Sequence, residues 1–483
     1  MDKAKWTSER LVPRKHLNSM PRIPQQNPAA GTSAIGDAIR ARRGARGLTP
    51  LDQTLLNAPE IANGWNTLLG AIRNRNSLPD DIRELMILRV AARNSATFEW
   101  IHHAHVGTDA GLTNKQLTVV RDLHTPLPTV TSPGVLSAYQ AAALRFADAS
   151  TFSVNVPQQR IDELKQFLKD DQQLLEATAV VATYNMVSRL LVTLDVGDMG
   201  DVSVPLPETT QEEHTVEMES GVSLHVRTAK RDDAAPWIVF VNSLMTNQKM
   251  WDSVLPRLSK SYNLLTFDQR GHGKSSVPQE KCTLQVLASD IATILNKLSI
   301  PTPIRAIIGV SQGGATSLAF AQGHSPLFER LIACDTQATG PQANIKAWDD
   351  RIAMAREKGM AALADVTVPR WFPAGSEFNP GGRREAFVHD MVSSTDIEGF
   401  AKSAAALQGY DVAPGLADKL QGKKVLLIAG ERDGALPGVL KGVSEDLSKA
   451  GVDVRFEVIP GAGHLPMLDG AQAWLDVVEP FLA

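Results

Sequence analysis

The sequence predicts a multidomain chain: an N-terminal all-helical domain followed by an α/β domain with a mostly parallel sheet. Helical patterns dominate the first part of the chain, and short apolar runs rich in branched residues alternate with helical segments in the second. Between them lies "VPLPETTQEEH", whose prolines and polar residues are typical of a linker. We expect a loosely ordered arm at 1–44, the helical domain at 45–203, the linker at 204–214 and the α/β domain at 215–483.

Composition limits the class of protein. The 483 residues suffice for two to four domains, and a net charge of −4 offers nothing to attract nucleic acid or an anionic membrane surface. No apolar run of about 18 residues predicts a membrane span, and the N-terminus lacks a signal-peptide core. Two cysteines, Cys282 and Cys334, cannot build a disulfide framework or a four-cysteine zinc site, so we expect a cytoplasmic protein.

Four segments predict the helices of the first domain. "PDDIRELMILRVAARNS" opens with a Pro-Asp pair that favours helix entry and continues with strong helix formers. "VLSAYQAAALRFADAS", "PQQRIDELKQFLKD" and "DQQLLEATAVVATYNMVSRLLVTLD" have the same character.

Five apolar runs predict the strands of the second domain: "WIVFVN", "NLLTFD", "RAIIGV", "RLIACD" and "KVLLIAG". Strands that are apolar along their whole length are buried on both faces, as in a parallel sheet flanked by helices.

"IIGVSQGGA", residues 307–315, contains a candidate nucleophile. Ser311 is the serine of a G-x-S-x-G pattern between a predicted strand and a predicted helix. Glycines at 309 and 313 allow the sharp turn that would expose the serine oxygen above the sheet. The alternative for the pentapeptide alone is a chance match in a glycine-rich turn.

Two further residues complete a catalytic trio with Ser311. Asp433 follows the strand "KVLLIAG", and His464 lies in the loop of "FEVIPGAGHLPMLDG". Each residue stands after a strand, in the order Ser, Asp, His. His464 would take the proton of the serine during attack, and Asp433 would hold the imidazole tautomer and stabilise the imidazolium.

An oxyanion hole requires backbone donors beside the serine. The loop "FVNSLMTN" follows the first long strand, and its Leu244 amide together with the Gln312 amide would form the hole. Asn242 and Ser243 are expected to shape this loop. His272, in the strand-end loop "FDQRGHGKSS", is expected to be structural.

Residues 212–483 resemble an α/β-hydrolase of the 3-oxoadipate enol-lactonase type. The resemblance is carried by "VNSL", "FDQRGHGKSS", "GVSQGG", "AGERD" and "GAGHLPML", with "AWDDRIAMAREKGMAALADVTVPRWF" resembling the cap segment. Met245 departs from the family pattern, in which glycine often follows "NSL". The resemblance implies hydrolysis of a small lactone or ester.

The cap at about 337–412 holds candidate substrate-binding residues: Trp348, Arg351, Arg370 and Trp371. An anionic substrate would need a cation there, and arginine binds carboxylate through two hydrogen bonds. The alternative is that the tryptophans form the cap core and the arginines are solvated.

In the helical domain, "EWIHHAHVG" places Glu99 and His103 one turn apart on a helix face. A carboxylate beside an imidazole can relay protons, although an ordinary surface pair has the same spacing. The histidines at 102, 103 and 105 do not share one helical face, so no metal site is expected.

Residues 45–200 resemble the carboxymuconolactone decarboxylase family, a small helical fold that forms oligomers. Its peroxidase-reductase branch has a Glu, a C-x-x-C pair and a His, which align with Glu84, Ala96, Glu99 and His103. Both cysteines are absent here, which excludes thiol peroxidase chemistry. The decarboxylase branch keeps the Glu-x-x-x-His pair and tends to carry an arginine where this chain has His105.

The two resemblances imply consecutive reactions on one chain. The first is decarboxylation of 4-carboxymuconolactone without cofactor or metal, with proton transfer by Glu99 and His103. The second is Ser-His-Asp hydrolysis of the resulting enol-lactone in protocatechuate breakdown. They also imply a homo-oligomer held through the helical domain. The alternative is a serine hydrolase for another ester or lactone whose helical domain is a catalytically silent oligomerisation module.

Overall fold

The computed structural model describes residues 22–44, 47–200 and 202–483, and the chain divides into two compact units between Glu208 and Thr209. We call them the helical unit and the α/β unit. Among the described residues, no helix is both long and apolar enough to cross a membrane.

The described part of the helical unit contains α-helices only. They are α1 Ala34–Arg43, α2 Pro50–Leu55, α3 Pro59–Asn74, α4 Asp80–Arg93, α5 Thr97–Asp109, α6 Asn114–Arg121, α7 Ala138–Phe152, α8 Gln158–Lys165 and α9 Asp171–Thr193. The four segments singled out in the sequence form α4, α7, α8 and α9.

Helix α1 corrects part of the expectation of a loosely ordered arm. Ser33 caps this helix by accepting a hydrogen bond from the Gly36 amide, and Ile39 is buried in the core of the unit. A cap and one buried apolar side chain therefore order a segment whose composition is otherwise polar. Residues 1–21 of the expected arm lie outside the described residues.

Helix α4 forms the centre of the helical unit. Its residues 82–92 are all buried, and it packs against α5, α7 and α9. Burial on every side means that its polar residues must find partners inside the unit. Arg89 does so by binding Asp148 of α7, with 2.7 Å between Nε and Oδ1.

The α/β unit is built on one eight-stranded sheet. Its strands are β1 Thr210–Glu217, β2 Ser223–Lys230, β3 Trp237–Val241, β4 Asn263–Phe267, β5 Ile304–Val310, β6 Phe328–Cys334, β7 Lys424–Gly430 and β8 Asp453–Ile459, in the order β1-β2-β4-β3-β5-β6-β7-β8. The pairs β1·β2 and β2·β4 are antiparallel, and the rest are parallel. The predicted fold class is confirmed.

The first strand occupies part of the stretch expected to be a linker. β1 begins at Thr210 and pairs with β2 from Thr210 to Glu217. Most residues of β1 are polar and at least partly exposed, and only Val216 is buried. The composition of this strand therefore resembles that of a connecting segment. Backbone pairing with β2, and not apolar content, makes it a strand.

Helices flank the sheet, and four of them lie in the chain between β6 and β7. The helices of this unit are α10 Leu255–Leu258, α11 Leu284–Lys297, α12 Gln312–His324, α13 Ala343–Trp371, α14 Glu385–Ser393, α15 Ile397–Ala404, α16 Leu416–Lys419, α17 Leu436–Lys449, α18 Pro466–Asp469 and α19 Ala471–Leu482. Helices α13 to α15 form the inserted cap, and Gly359, with φ 85°, breaks α13 into two helical parts.

Candidate functional site

Ser311 stands at the corner between β5 and α12. Its φ of 55° and ψ of −119° lie outside the regions that most residues adopt, so the turn holds it in a strained conformation. The elbow depends on close packing of its glycines. A Cβ on Gly309 would lie 2.1 Å from the Gly313 carbonyl oxygen, and a Cβ on Gly313 would lie 2.1 Å from that of Val241. The structure therefore gives the G-x-S-x-G pattern a steric cause.

Asp433 and His464 form a hydrogen-bonded pair. The distance between Asp433 Oδ2 and His464 Nδ1 is 2.7 Å. Strands β5, β7 and β8 are parallel, and β6 joins β5 to β7, so all three loops leave the same edge of the sheet. Because the Nδ1–H group of His464 donates to Asp433, Nε2 is the ring nitrogen that can accept the proton of Ser311.

The charge on Asp433 is stabilised by its neighbours. Burial alone would raise the pKa of its carboxyl, but His464 outweighs burial and holds that pKa below its usual range, with a smaller contribution from Arg370. Asp433 is thus a carboxylate at neutral pH, as its orienting role requires.

Asp335, Asp433 and His464 each place one possible ligand atom within 4.8 Å of the others. The 2.7 Å separation of Asp433 Oδ2 and His464 Nδ1 is that of a hydrogen bond. A proton between the two atoms accounts for this contact, so we do not assign a metal site to the cluster.

The two residues predicted to supply the oxyanion donors are both buried, and Gln312 directly follows the serine. Gln312 is the first residue of α12, so its amide has no acceptor within the helix. Its side chain is engaged elsewhere: Nε2 donates to the Ser403 carbonyl at 2.7 Å, and Oε1 accepts from Gln269 at 2.9 Å. Leu244 follows β3 and is buried.

The loop that carries Leu244 is held by side chains. The Met245 amide donates to Nε2 of His272 at 2.9 Å, and Nδ1 of His272 lies 3.0 Å from the Arg270 carbonyl. Burial lowers the pKa of His272 to about 4, so the imidazole is neutral and can accept at Nε2. Met245 has φ 63°, a conformation that glycine adopts more easily, which accounts for the glycine that related sequences often carry there.

Asn242 braces the same loop. Its Nδ2 donates to the Phe267 carbonyl at 2.7 Å, and its Oδ1 accepts from Trp251 Nε1 at 2.8 Å. Ser243 is fully buried beside it, with Oγ 3.4 Å from the Leu244 carbonyl oxygen.

The four cap residues all lie on α13, near its two ends. Trp371 stacks on His464, with ring centroids 5.7 Å apart, and its carbonyl accepts from the His464 amide at 2.7 Å. Arg351 lies over the Trp348 ring, with 4.6 Å between Cζ and the ring centroid.

Arg351 and Arg370 are close enough to influence each other. Burial first, and then the charge of Arg370, lower the pKa of Arg351. Arg370 is exposed and also acts on the Asp433 carboxylate. Two guanidinium groups that repel one another near the catalytic pair form a place where an anionic group would bind favourably.

In the helical unit, the structure corrects the predicted pairing of Glu99 with His103. Nδ1 of His103 lies 2.7 Å from Oε2 of Glu84 on α4, whereas Glu99 accepts from Ser188 on α9 at 3.2 Å. The one-turn spacing does place Glu99 and His103 on one face of α5. That face meets two different helices, so each side chain finds its own partner.

A chain of hydrogen bonds runs through His103. Nε of Arg73 donates to the Tyr184 hydroxyl oxygen at 2.6 Å, and that oxygen lies 3.2 Å from Nε2 of His103. The consistent assignment is that Tyr184 donates to Nε2 and that Nδ1–H donates to the Glu84 carboxylate.

Burial shifts the pKa values of Glu99 and His103 in opposite directions. It raises the pKa of Glu99 well above its usual value, although Ser188 and Arg73 oppose the shift, and Oε1 of Glu99 has no hydrogen-bond partner among the described residues. It lowers the pKa of His103, against the influence of Glu84. Burial therefore favours the protonated acid at Glu99 and the neutral imidazole at His103.

The two neighbouring histidines are not part of this cluster. Nδ1 of His102 lies 2.8 Å from the Phe98 carbonyl, and Nδ1 of His105 lies 3.3 Å from the Ile101 carbonyl, each four residues back on the same helix. Ala96 is a buried cap of α5 and carries no polar side chain.

Comparison with known proteins identifies both units. The model of the alpha/beta hydrolase family matches residues 238–477. The chain is 31% identical over 258 residues to 3-oxoadipate enol-lactonase 2 of Acinetobacter baylyi, covering 53% of this chain and 92% of that protein. The chain belongs to the alpha/beta hydrolase family.

The model of the carboxymuconolactone decarboxylase family matches residues 59–143 of the helical unit. The chain is therefore a fusion of a carboxymuconolactone decarboxylase family domain with an enol-lactonase-like hydrolase domain. The α/β unit, called the hydrolase unit from here on, makes the protein an enzyme. The order of the two units is that predicted from the sequence.

Further relatives match the hydrolase unit. 3-oxoadipate enol-lactonase 1 of Acinetobacter baylyi is 29% identical over 248 residues, covering 51% of this chain and 89% of that protein. The enol-lactonase structure from Burkholderia xenovorans is 32% identical and matches 56% of this chain and 99% of its own, with a TM-score of 0.49. An alpha/beta hydrolase from a deep-sea metagenome library shares the fold at 21% identity, over 55% of this chain and 96% of its own, with a TM-score of 0.50.

Sequence reasoning missed several side chains of these sites. Asp335, Tyr184, Arg73 and Ser188 were not predicted. Asp335 had a usable sequence signal, because it directly follows the predicted strand "RLIACD", as Asp433 follows "KVLLIAG". Tyr184 and Ser188 lie within a long helix whose pattern does not distinguish a site residue from a core residue.

Proposed function

We propose that the chain is a bifunctional enzyme that decarboxylates 4-carboxymuconolactone in the helical unit and hydrolyses the resulting 3-oxoadipate enol-lactone in the hydrolase unit. The observation that carries the hydrolytic half is the strained Ser311 elbow at the same edge of the sheet as the hydrogen-bonded Asp433–His464 pair. The likeness to two enol-lactonases supports the choice of substrate class.

In the hydrolase unit, Ser311 Oγ attacks the lactone carbonyl while Nε2 of His464 takes its proton. The oxyanion accepts hydrogen bonds from the Leu244 and Gln312 amides. The ring C–O bond then breaks, the leaving enolate takes the proton from His464, and it becomes a ketone. Water activated by His464 hydrolyses the acyl-enzyme and releases the acid.

The substrate acid group has a binding place in the cap. Arg351 and Arg370 supply two positive charges close enough to influence each other, and Arg370 also acts on Asp433. Trp348 packs against Arg351, and Trp371 stacks on His464. We assign carboxylate recognition to the two arginines, because a guanidinium can form two parallel hydrogen bonds with a carboxylate.

In the helical unit, loss of CO₂ leaves electrons that the conjugated lactone carbonyl accepts as a dienolate. We assign the proton that quenches this dienolate to Glu99, because burial raises its pKa and favours its protonated form. His103 is held by Glu84 and Tyr184, so it can orient the substrate, and Glu99 regains its proton from solvent after the product leaves.

The same proposal extends to assembly and location. We propose a homo-oligomer held mainly through the helical unit, which exposes Ile61 and Leu68 on α3 and Leu175 on α9. We also place the enzyme in the cytoplasm, where its two free cysteines, both buried, stay reduced.

The deciding experiment gives the full chain 4-carboxymuconolactone and follows CO₂ release and 3-oxoadipate formation together. Wild-type protein should produce both. The Ser311→Ala variant should release CO₂ at the normal rate and accumulate the enol-lactone, because hydrolysis falls by several orders of magnitude.

Two outcomes contradict the proposal in different ways. Lactone hydrolysis that survives in Ser311→Ala rules out the serine mechanism. Hydrolysis without CO₂ release supports the alternative in which the helical unit only assembles the protein, and a panel of other lactones and esters would then define the substrate.

A further inference from the structure

Asp335 is a carboxylic acid at the hydrolase site with no role in the mechanism above. It directly follows β6, is 1% exposed and has φ 46°, which few residues other than glycine, asparagine and aspartate adopt. Its amide donates to the Ile428 carbonyl on β7 at 2.9 Å. The backbone therefore holds this side chain in one place between two neighbouring strands.

The carboxyl group of Asp335 is only half satisfied. Oδ1 accepts a hydrogen bond from the Gly430 amide at 2.8 Å, but Oδ2 is buried and has no hydrogen-bond partner among the described residues. The neighbouring groups are the carboxyl of Asp433 and the imidazole of His464, each with an atom within 4.8 Å. The two carboxyl groups thus lie close enough for each to shift the pKa of the other.

Two carboxyl groups this close and this buried cannot both be charged. His464 and Arg370 favour the charged form of Asp433, whereas among the described residues the Asp335 carboxyl accepts a hydrogen bond only from the neutral Gly430 amide. Burial, and then the charge on Asp433, raise the pKa of Asp335 well above its usual value. The proton therefore resides on Asp335.

We propose that Asp335 is a positioning residue of the hydrolase site, whose protonated carboxyl donates a hydrogen bond to the Asp433 carboxylate and keeps it aligned with Nδ1 of His464. This inference rests on the proposed hydrolase function. It accounts for the unpartnered Oδ2, because a proton shared with Asp433 satisfies that oxygen. It also explains how Asp433 is held by a second group without a second charge.

The test compares Asp335→Asn with Asp335→Gly in the full chain. Both residues accept a φ of 46°, so neither strains the backbone. Asparagine keeps an acceptor for Gly430 and a donor for Asp433, whereas glycine removes both. Two readouts are the labelling rate of Ser311 by a fluorophosphonate and kcat/KM for 4-nitrophenyl acetate. Thermal unfolding checks that the variants fold, and Asp335→Ala replaces the glycine variant if that one does not.

The asparagine variant should stay within about threefold of wild type in both readouts, and the glycine variant should be at least about tenfold slower. An asparagine variant as slow as the glycine variant would overturn the proposal, and so would a glycine variant as fast as wild type. Two other results would contradict the proposed hydrolase function itself: wild-type protein that reacts with neither probe, or a Ser311→Ala variant that is still labelled.

Discussion

The imidazole of His464 stacks on the indole of Trp371, with ring centroids 5.7 Å apart and an angle of 27° between the rings. Trp371 also accepts a hydrogen bond from the His464 amide through its carbonyl, at 2.7 Å. The last residue of the longest cap helix thus contacts the catalytic histidine with both its side chain and its backbone. The cap holds the imidazole from the side that Asp433 does not reach.

The first prediction concerns this stack. Trp371→Ala removes the indole but keeps the backbone hydrogen bond, so the imidazole loses only its face contact. We expect kcat for lactone hydrolysis to fall about tenfold, because a misoriented base loses effective proximity, and Trp371→Phe to recover most of it. Trp348→Ala, whose ring contacts Arg351, is the control and should change KM more than kcat. A Trp371→Ala variant with normal kcat would contradict the role of the stack.

The second prediction concerns the two cap arginines. Arg351→Gln and Arg370→Gln should each raise KM for an anionic lactone about tenfold, because each removes a charge-assisted hydrogen bond to carboxylate. Steady-state kinetics with 4-nitrophenyl acetate is the control, since this neutral ester has no acid group and should be hydrolysed within about twofold of wild type. Equal losses on both substrates would show that the arginines act on the fold or on the triad.

The third prediction concerns proton transfer in the helical unit. Glu99→Gln and His103→Ala should each lower CO₂ release by at least about a hundredfold, the usual contribution of a positioned acid or base. Glu84→Gln should also lower it, because His103 loses the carboxylate that fixes its tautomer. His105→Ala is the matched control, since its imidazole is exposed on the same helix. Normal CO₂ release by Glu99→Gln would remove Glu99 from the mechanism, and hydrolysis should be unchanged in all four variants.

The fourth prediction concerns pH and His225 on β2. Nδ1 of His225 lies 3.1 Å from Asp268, and Nε2 lies 3.3 Å from Glu213. Burial lowers the pKa of His225, but the two carboxylates outweigh burial and raise it. The pKa of Glu213 falls to about 2, mainly through its interaction with His225.

A raised histidine pKa has a defined sign for stability. The contribution of His225 is fully present below its unfolded pKa of about 6.5 and is lost as the pH rises through its folded pKa. In urea denaturation of the full chain, His225→Gln should cost about 1 kcal/mol at pH 5.5 and less at pH 9. His214→Gln is the control, because its ring nitrogen contacts the neutral Thr228 hydroxyl at 2.9 Å and lies 3.8 Å from the exposed Glu212 carboxylate. A cost that grows toward pH 9 would contradict the assignment.

The fifth prediction concerns assembly. Ile61 and Leu68 are 59% and 42% exposed on α3. A lysine at either position should lower the molar mass measured by light scattering, because a charge inside an apolar interface is costly. Val439→Lys on α17 of the hydrolase unit is the control, since Val439 is 38% exposed and lies outside the helical unit. An unchanged mass in both α3 variants would show that this face is not the interface.

Local patterns of the sequence were enough to predict the two-unit organisation, the buried strands and the Ser311 elbow. Each depends on a short stretch in which apolar runs, glycines and one polar residue have a single plausible conformation. The order of Ser311, Asp433 and His464 also follows from sequence, because parallel strands bring the residues that follow them to one edge of a sheet.

Only the tertiary structure decided the partners of buried polar groups. Helical spacing predicted that Glu99 would work beside His103, yet His103 binds Glu84 and Glu99 binds Ser188. Asp335 likewise lies close to Asp433 only because β6 and β7 pair, and the sequence alone does not show this contact. A pattern in the chain specifies which face a side chain shares with its neighbours in sequence. Which groups it meets across that face, and hence its protonation, depends on packing between elements far apart in the chain.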